Sequence, residues 1–532
     1  MKRSGPTLRT RLDLMPLNPG LGRLVLSALL GAASVLGFAP VSLFAVPIAT
    51  LAGLAWLWQR SRSAGQALSL GLSFGLGYFL TGTSWVYVSM HDFGGMAWPV
   101  AGFATVFFCT YLALFPAIAG WAFVRLPATR WVRMAIVFPA LWAGAEWVRG
   151  WMFTGFPWLT VGYSQSPDGP LSGFASVLGV YGVSLLTATS AGLLVWLAAS
   201  LAATRGEPPS NRARAMLLHP ALVSLILLWL TGWALQRTPW TAPGETVTVS
   251  LVQGNIEQDM KWRPESARAS LETYLELTLH THARLIVLPE TALPVFNVDL
   301  PRDYLDALAR PARDRHGDLL TGIPEYVQAD PPRYYNSVMS FGTQPTQVYR
   351  KYHLVPFGDY VPRWALITWI MSTLQIPLSD FSRGNPYQRP LDVAGQRVAV
   401  NICYEDVFGE EVIRQLPEAT LLANFTNDAW WGRSAASDQH LQMAQMRSQE
   451  TGRYMLRATN TGVTAIIDER GHVVGRVPQF AVAVLEGRAQ GRSGSTPYIW
   501  WGNWAFLALV SASLLIPPLL PLVSRRAARE TK

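Results

Sequence analysis

Apolar segments dominate the first 240 residues, and they constrain the fold more than any other feature of the sequence. Seven of them lie at about 24–38, 41–59, 66–89, 97–124, 132–149, 171–203 and 216–236, and an eighth lies at 499–523. Each approaches the ~20 apolar residues that an α-helix needs to cross a bilayer. The pattern predicts a polytopic α-helical membrane domain with about eight spans in all.

The composition favours the same class. Hydrophobic residues make up 50% of the chain, charged residues only 14%, and 22 residues are tryptophans. The formal net charge of +9 does not indicate nucleic-acid binding, because the basic residues cluster beside the apolar segments and not in aromatic-interleaved patches. We therefore expect no nucleic-acid partner.

Basic residues flank the apolar segments on one side only, apart from Arg149. They follow the second, fourth, sixth and eighth segments: Arg60, Arg62, Arg125, Arg130, Arg133, Arg205, Arg212, Arg214, Arg525, Arg526, Arg529 and Lys532. Because basic loops stay in the cytoplasm, we expect both termini there and the long insert on the far, periplasmic face of a bacterial inner membrane. The predicted domains are a membrane domain of about seven helices over 1–240, an exported domain over 241–495, and a transmembrane helix with a basic cytoplasmic tail over 496–532.

Strand-like and helical patterns alternate in the exported part. Strand-like runs lie at 246–253, 285–288, 318–323, 335–341, 346–350, 398–402, 420–425, 462–468 and 481–486, and helical patterns lie at 265–282, 302–314 and 436–452. This alternation predicts an α/β domain with at least partly parallel sheets.

Three ionisable residues come just after predicted strands, where an α/β sheet presents its chemistry. Glu290 follows LIVLP, Lys351 follows VYR and Cys403 follows VAVNI. A thiol attacks only as the thiolate, so it needs a base and a nearby cation. Glu290 suits the base and Lys351 the cation. Lys351 and the backbone N–H after Cys403 also suit an oxyanion.

The residue types add weight to two of these positions. The chain has two cysteines, and the one other than Cys403 is Cys109, which lies in an apolar segment. An unpaired thiol in an exported domain indicates reactivity, since exported cysteines usually form disulfides. Only four of the 43 basic residues are lysines, and Lys351 is one of them. Lysine is a compact charge whose role arginine does not replace.

These residues resemble a known family. Glu290, Lys351 and Cys403 lie in the order and context of the Glu-Lys-Cys triad of the nitrilase superfamily. With its eight predicted spans, the sequence is similar to the apolipoprotein N-acyltransferase family over nearly the whole chain. Four stretches carry this similarity: GFPWLTVGYSQ, VQGNIEQDMKW, KYHLVPFGDYVP and NICYED. The resemblance implies an αββα sandwich for the exported domain and a multi-pass enzyme of the inner membrane.

The resemblance also implies the reaction. A fatty acyl chain would move from a phospholipid to a thioester on Cys403, and then to the N-terminal α-amine of a diacylglyceryl-cysteine lipoprotein, in ping-pong order. We expect no cofactor, no metal and a monomeric enzyme. Supporting roles fall to Tyr404, Glu405 and Asp359. At position 359 the family usually has Glu. Four aromatic residues are expected to bind substrate or lipid: Trp158, Trp262, Phe357 and Trp364.

Three further stretches stand out, and the first two have two interpretations each. TGFPWLTVGYSQ suits an interfacial aromatic belt or a substrate groove. The very apolar run 363–377 is too short to span and suits an interfacial lid or a buried helix. Glu146 and Arg149 lie three apart on one predicted helix and have the spacing of an ion pair.

Two other functions stay open. A membrane-tethered amidase would use the same triad with water as the acceptor. A transporter or sensor would use the exported domain only to bind a ligand, and Glu146 within the membrane is its best support. His280 and His282 lack a third ligand nearby, and the sequence has no nucleotide-binding motif, so neither a metal nor a nucleotide is expected.

Overall fold

The computed structural model describes residues 19–204, 216–257, 264–360 and 380–516. The helices used below are α1 (Pro19–Ser34), α2 (Ala45–Gln59), α3 (Ala64–Gly82), α4 (Trp98–Arg125), α5 (Phe138–Arg149), α6 (Ala175–Ala203), α7 (Pro220–Arg237), α8 (Pro264–Leu279), α9 (Arg302–Arg313), α10 (Ala436–Thr451), α11 (Pro497–Trp501) and α12 (Trp504–Ile516). The strands are β1 (Thr241–Gln253), β2 (Leu285–Val287), β3 (Asp318–Val327), β4 (Arg333–Gly342), β5 (Val348–Arg350), β6 (Leu391–Val393), β7 (Gln396–Ile402), β8 (Leu421–Thr426), β9 (Met455–Thr459), β10 (Ala465–Ile467), β11 (Val473–Arg476) and β12 (Ala483–Gly494).

A helix lies at each of the predicted apolar segments. Within the described residues, four helical stretches are long and apolar enough to cross a membrane: Gly20–Gly37, Trp98–Arg125, Ser172–Ala203 and Pro220–Arg237. Helices α2 and α12 are apolar but shorter. The membrane class is confirmed, and the count of eight spans stays a prediction.

The outer faces of α4 and α7 carry large apolar side chains. Phe103 is 73% exposed, Phe107 68% and Leu227 59%. In water such a surface would be an aggregation site, whereas in a bilayer it is the surface that faces lipid. The exposed apolar faces therefore fit helices that lie in a membrane.

The rest of the described chain forms two six-stranded sheets, with strand orders β12-β1-β2-β3-β4-β5 and β11-β10-β9-β8-β7-β6. Side chains alternate between the two faces of each sheet. On β2, Leu285 and Val287 enter a core shared by both sheets, whereas Ile286 packs with α8 and α9. On β8, Leu421 enters the shared core and Leu422 packs with α10. The predicted αββα sandwich is confirmed.

The second sheet is joined to the membrane domain through α10. This helix is polar in sequence yet almost wholly buried, because one side packs on the sheet and the other on the membrane domain. Met443 and Met446 belong to the same apolar core as the membrane helices. The Glu450 carboxylate accepts a hydrogen bond from Val180 N–H of α6 at 2.8 Å. Packing and polar contacts thus hold α10 against the membrane helices.

Most predicted elements lie where the sequence places them, but three strands are missing from the prediction. They are β6, β9 and β11. Each is short, and β9 contains the charged residue Arg457, which breaks the apolar pattern. Their pairing with neighbouring strands, which the sequence does not reveal, makes them strands.

Candidate active site

The three predicted catalytic residues all follow strands at one end of the sandwich. Glu290 comes three residues after β2 and Lys351 directly after β5, both in the first sheet, whereas Cys403 directly follows β7 of the second. Lys351 Nζ lies 3.5 Å from Glu290 Oε1. Both charges act electrostatically on the Cys403 thiol. The fold therefore brings together three residues that lie 61 and 52 positions apart in sequence.

Lys351 is a buried cation held by two carboxylates. Its ammonium lies 2.7 Å from Asp359 Oδ2, and its side chain is 2% exposed. Burial opposes the charge, but Asp359 and Glu290 outweigh it and raise the pKa of Lys351. Asp359 also accepts a hydrogen bond from Val355 N–H at 2.8 Å. The shorter carboxylate at this position thus reaches the lysine directly.

Glu290 has an amide partner that the sequence analysis did not single out. Asn336 Nδ2, on β4, donates to Glu290 Oε1 at 2.8 Å. Both side chains are buried. A donor on this oxygen fixes the orientation of the carboxylate. An amide side chain within the predicted strand 335–341 was the available signal.

Cys403 is half-buried and has a strained backbone conformation. Its φ is +53°, in the left-handed region that non-glycine residues rarely adopt. Burial raises the pKa of the Cys403 thiol and the Glu290 charge adds to this, while Lys351 and a hydrogen bond with Thr426 oppose it. The net effect is a raised pKa of the thiol, and such a thiol needs a base to become reactive.

Glu405 joins the backbones on either side of the site. Its carboxylate accepts hydrogen bonds from Tyr352 N–H (2.6 Å), His353 N–H (3.0 Å), Ile402 N–H (2.7 Å) and the hydroxyl of Tyr349 (3.1 Å). Burial raises the pKa of Glu405 to about 7, although the backbone donors and Lys351 oppose this. These contacts give the expected supporting role of Glu405 a physical form, because they fix the chain after Lys351 and before Cys403.

Tyr404 connects the nucleophile to the membrane domain. Its hydroxyl donates to the carbonyl of Gly155 at 3.3 Å, and its ring stacks on Trp158. Gly155 has φ +86°, and a Cβ there would collide with the carbonyl of Gly150, so only glycine fits. The loop over 154–165 therefore lies under the catalytic turn.

Two expectations about this loop are corrected by its burial. Trp158 is 0% exposed, and its Nε1 donates to Gln439 Oε1 of α10 at 2.6 Å. A lipid cannot touch it without displacing Tyr404 or α10. Trp158 is thus a residue of the interface between the domains, and the loop around it is neither a surface belt nor an open groove.

Glu146 and Arg149 support the same loop and do not pair with each other among the ion pairs of the described residues. Arg149 donates to the carbonyls of Phe156 (2.5 Å) and Trp158 (2.6 Å). Glu146 accepts from Val161 N–H at 2.9 Å. Both buried side chains are accounted for because they hold the backbone of the loop over 154–165. Glu146 therefore no longer supports the transporter hypothesis.

Of the remaining aromatic residues predicted to bind lipid, one lies within the described residues and two lie outside them. Phe357 is 60% exposed with φ +64°, so it stays a candidate for lipid contact. Trp262, Trp364 and the apolar run 363–377 lie outside the described residues. Trp431 is buried at the domain junction, whereas Trp430 is 39% exposed.

An αββα sandwich with a thiol, a carboxylate and an ammonium at one end defines a carbon-nitrogen hydrolase type of domain, and the family model "Carbon-nitrogen hydrolase" matches residues 248–498. The model "Apolipoprotein N-acyltransferase N-terminal domain" matches residues 30–193. The chain belongs to the apolipoprotein N-acyltransferase family. The predicted family and acyltransferase activity are therefore confirmed.

Two relatives carry this identification. The apolipoprotein N-acyltransferase of Nitrosomonas europaea is 54% identical over 512 residues, which cover 95% of this chain and 99% of the relative. That of Methylococcus capsulatus is 44% identical over 475 residues, or 89% of this chain and 91% of the relative. Among solved structures, an amidase of the nitrilase superfamily from Nesterenkonia is 14% identical, with 50% of this chain and 98% of the amidase covered and a TM-score of 0.35.

Proposed function

We propose that the chain moves a fatty acyl chain from a membrane phospholipid to the N-terminal α-amine of diacylglyceryl-cysteine lipoproteins, through a thioester on Cys403. One observation carries the proposal: the buried Glu290–Lys351 pair acts on a thiol whose neighbour, Tyr404, packs on the membrane domain. A donor that lies in the bilayer needs a nucleophile held at the membrane domain.

The first half-reaction forms the thioester. Glu290 takes the thiol proton, and the sulfur attacks the carbonyl carbon of a phospholipid ester. Lys351 and the backbone N–H of Tyr404 stabilise the resulting oxyanion. The ester C–O bond then breaks, and the leaving alkoxide takes the proton from Glu290. The products are an acylated Cys403 and a lysophospholipid.

The second half-reaction makes the amide. The α-amine of the lipoprotein attacks the thioester carbonyl and gives its proton to Glu290. The C–S bond breaks, and the departing thiolate recovers a proton from Glu290, which restores the resting state. Water has to be kept from the thioester between the two halves, because hydrolysis would release a free fatty acid. Phe357 and the run 363–377 are the candidates for covering the acyl chain.

We assign the supporting residues from their contacts. Asp359 keeps Lys351 charged and in place, Asn336 orients Glu290, and Glu405 fixes the two backbones that carry Lys351 and Cys403. The enzyme works as a monomer in the bacterial inner membrane, with both termini in the cytoplasm and the catalytic domain in the periplasm, as the flanking arginines indicate.

Intact-mass measurement after incubation with phospholipid tests the thioester. Wild-type protein should gain one acyl mass that peptide mapping places on Cys403 and hydroxylamine removes. Cys403→Ala should gain none, whereas Cys109→Ala, the matched control, should acylate normally. Acylation of the Cys403→Ala protein would refute the proposal.

Adding an acceptor separates the transferase from a hydrolase. With a diacylglyceryl-cysteine peptide, acyl-enzyme should disappear as N-acylated peptide forms. An enzyme that released free fatty acid at the same rate with and without the peptide would be an amidase-like hydrolase instead.

Cysteine labelling tests the orientation. Thr346→Cys places a thiol on an exposed turn of the catalytic domain, and Arg62→Cys places one on the loop after α2. In intact cells with a permeable outer membrane, an impermeant maleimide should label the first and not the second. The opposite result would reverse the proposed topology.

A further inference from the structure

The second sheet carries a row of polar side chains that the acyl-transfer steps do not use. Asn401, Asn424 and Arg457 occupy matching register positions on the parallel strands β7, β8 and β9. The row lies two residues before Cys403 along β7. All three side chains are buried on the face that α10 covers, opposite to the apolar core between the sheets.

Four ionisable side chains close a ring at the end of this row, and we call them the arginine cluster. Its members are Asp406, Asp428, His440 and Arg457. Arg457 lies 3.3 Å from Asp406 and 3.1 Å from Asp428, and His440 lies 2.6 Å and 3.3 Å from the same two carboxylates. Each of the four side chains is 0% exposed.

Stability alone is a poor reason for such a cluster. Removing charges from water is unfavourable, and well-packed apolar residues of similar volume are often as stabilising as a buried ion pair. What buried ionic groups do provide is a defined geometry for the groups they contact. The question is therefore which group the arginine cluster orients.

Arg457 fixes the orientation of the Asn424 amide. A guanidinium only donates hydrogen bonds, and Arg457 donates to Asn424 Oδ1 at 2.7 Å. The amide nitrogen must then point the other way. It donates to the carbonyl of Cys403 at 3.0 Å and to Asn401 Oδ1 at 3.1 Å. Because Arg457 excludes the flipped amide, the Cys403 carbonyl always meets a donor.

That carbonyl belongs to the strained residue. A φ of +53° at Cys403 is a strained conformation that persists only where the surroundings fix it. Glu405 holds the preceding N–H, of Ile402, and Asn424 holds the carbonyl, so the backbone is fixed on both sides of the thiol. Asp406 of the arginine cluster lies on the same turn, Cys403–Val407.

The arginine cluster is also connected to the side chain of Cys403. The Thr426 hydroxyl donates to Asp428 Oδ1 at 3.2 Å, and both Thr426 and Asp428 act on the pKa of the Cys403 thiol. The carbonyl and the thiol of the nucleophile are thus connected to the same four charges by one intervening residue each, Asn424 and Thr426.

We propose that the arginine cluster is a positioning device for the nucleophile: it fixes Asn424, and through it the backbone of Cys403, in the conformation from which the thiol attacks. Arg457 is its central positioning residue. The inference deepens the proposed function and rests on Cys403 being the nucleophile.

A pair of lysine substitutions gives the sharpest test. Arg457→Lys keeps the charge but loses the forked geometry that reaches Asn424 and two carboxylates together. Arg453 is the matched control, since it is fully buried just before the same strand but donates to the carbonyls of Ala419 and Gly494, away from the nucleophile. Both variants should lose thermal stability.

Only Arg457→Lys should slow the chemistry. We expect its single-turnover rate of Cys403 acylation to fall about ten- to a hundredfold, the size that misplacement of a reacting group produces. The half-saturating phospholipid concentration should change by less than about threefold, because the substrate contacts are untouched. Arg453→Lys should acylate at the wild-type rate per folded molecule.

Asn424→Leu provides a second test if Arg457→Lys does not fold. It removes the donor to the Cys403 carbonyl without adding charge, and the same selective loss of acylation rate is expected. Equal rates for Asn424→Leu and wild type, or equal losses for the two lysine variants, would overturn the proposal.

Alkylation of Cys403 by iodoacetamide separates this proposal from the proposed function. In Arg457→Lys the pH profile of alkylation should move to higher pH, because an ammonium without the forked geometry neutralises Asp428 less well. The charges of Asp428 and Glu290 raise the pKa of the Cys403 thiol, and the charge of Lys351 lowers it. This readout needs no phospholipid. If the wild type formed no thioester, the proposed function would fail while the alkylation profile still decided the positioning role.

Discussion

The phenol ring of Tyr404 lies parallel to the indole ring of Trp158, with 6.4 Å between the ring centroids and 11° between the planes. Tyr404 follows the nucleophile, and Trp158 belongs to a loop between two membrane helices. The catalytic turn therefore rests on the membrane domain, and the two parts of the chain share one site.

Trp158→Ala should impair acylation beyond its effect on stability. Loss of a buried Trp typically costs about 3–5 kcal/mol, and here it also removes the support of Tyr404. Trp142→Ala is the control, because Trp142 is equally large and 4% exposed within the membrane domain. The measurements are Tm and acylation rate in detergent. If both variants acylated alike per folded molecule, the support role would be wrong.

Glu290→Gln and Lys351→Met should move the reactivity of Cys403 in opposite directions. The Glu290 charge raises the pKa of the thiol and Lys351 lowers it. At pH 8, iodoacetamide should therefore alkylate Cys403 faster in Glu290→Gln and slower in Lys351→Met than in wild type.

Both of these variants should nevertheless lose acylation, by about 10²–10⁴-fold for the missing base. A Glu290→Gln protein that acylated normally would exclude Glu290 as the base. A change of alkylation in the same direction in both variants would contradict the charge arrangement.

Asp359→Asn should disable Lys351. The substitution breaks a buried ion pair, which typically costs about 3–5 kcal/mol, and leaves the ammonium without its closest carboxylate. We expect a lower Tm and a strongly reduced acylation rate, whereas Asp359→Glu keeps the charge and should retain most activity. Asp318→Asn removes a buried carboxylate at the first residue of β3 and should lower Tm only. Normal acylation by Asp359→Asn would rule out its role.

Glu405 should make stability depend on pH. The pKa of Glu405 is about 7 in the folded chain, against about 4.3 for an exposed Glu. The folded state holds this proton more tightly, so its contribution is complete below about pH 4.3 and is lost as pH rises to 7, by up to about 3 kcal/mol. The Tm of wild type relative to Glu405→Gln should fall across that window. A constant difference between pH 4.5 and 8 would contradict it.

Local patterns were sufficient for part of this protein. Apolar runs predict membrane helices because a bilayer demands about 20 such residues, whatever the rest of the chain does. Glu290, Lys351 and Cys403 were found because each interrupts or ends an apolar strand, and their chemistry is complementary.

Other features depend on contacts between distant residues. Helix α10 looks like a solvated helix in sequence, yet both of its sides are buried. Strand β9 is short and contains Arg457, so nothing local marks it as a strand or as the centre of a buried cluster.

The sequence by itself determined the membrane class and the α/β character of the exported part, and it predicted the three candidate catalytic residues, because each depends on residue type and short-range order. The tertiary structure decided that Trp158 is buried against Tyr404 and α10, that Glu405 braces the backbone, and that Arg457 orients Asn424. Those roles depend on which strands pair and which helix covers them, and only packing of the whole chain sets these distances.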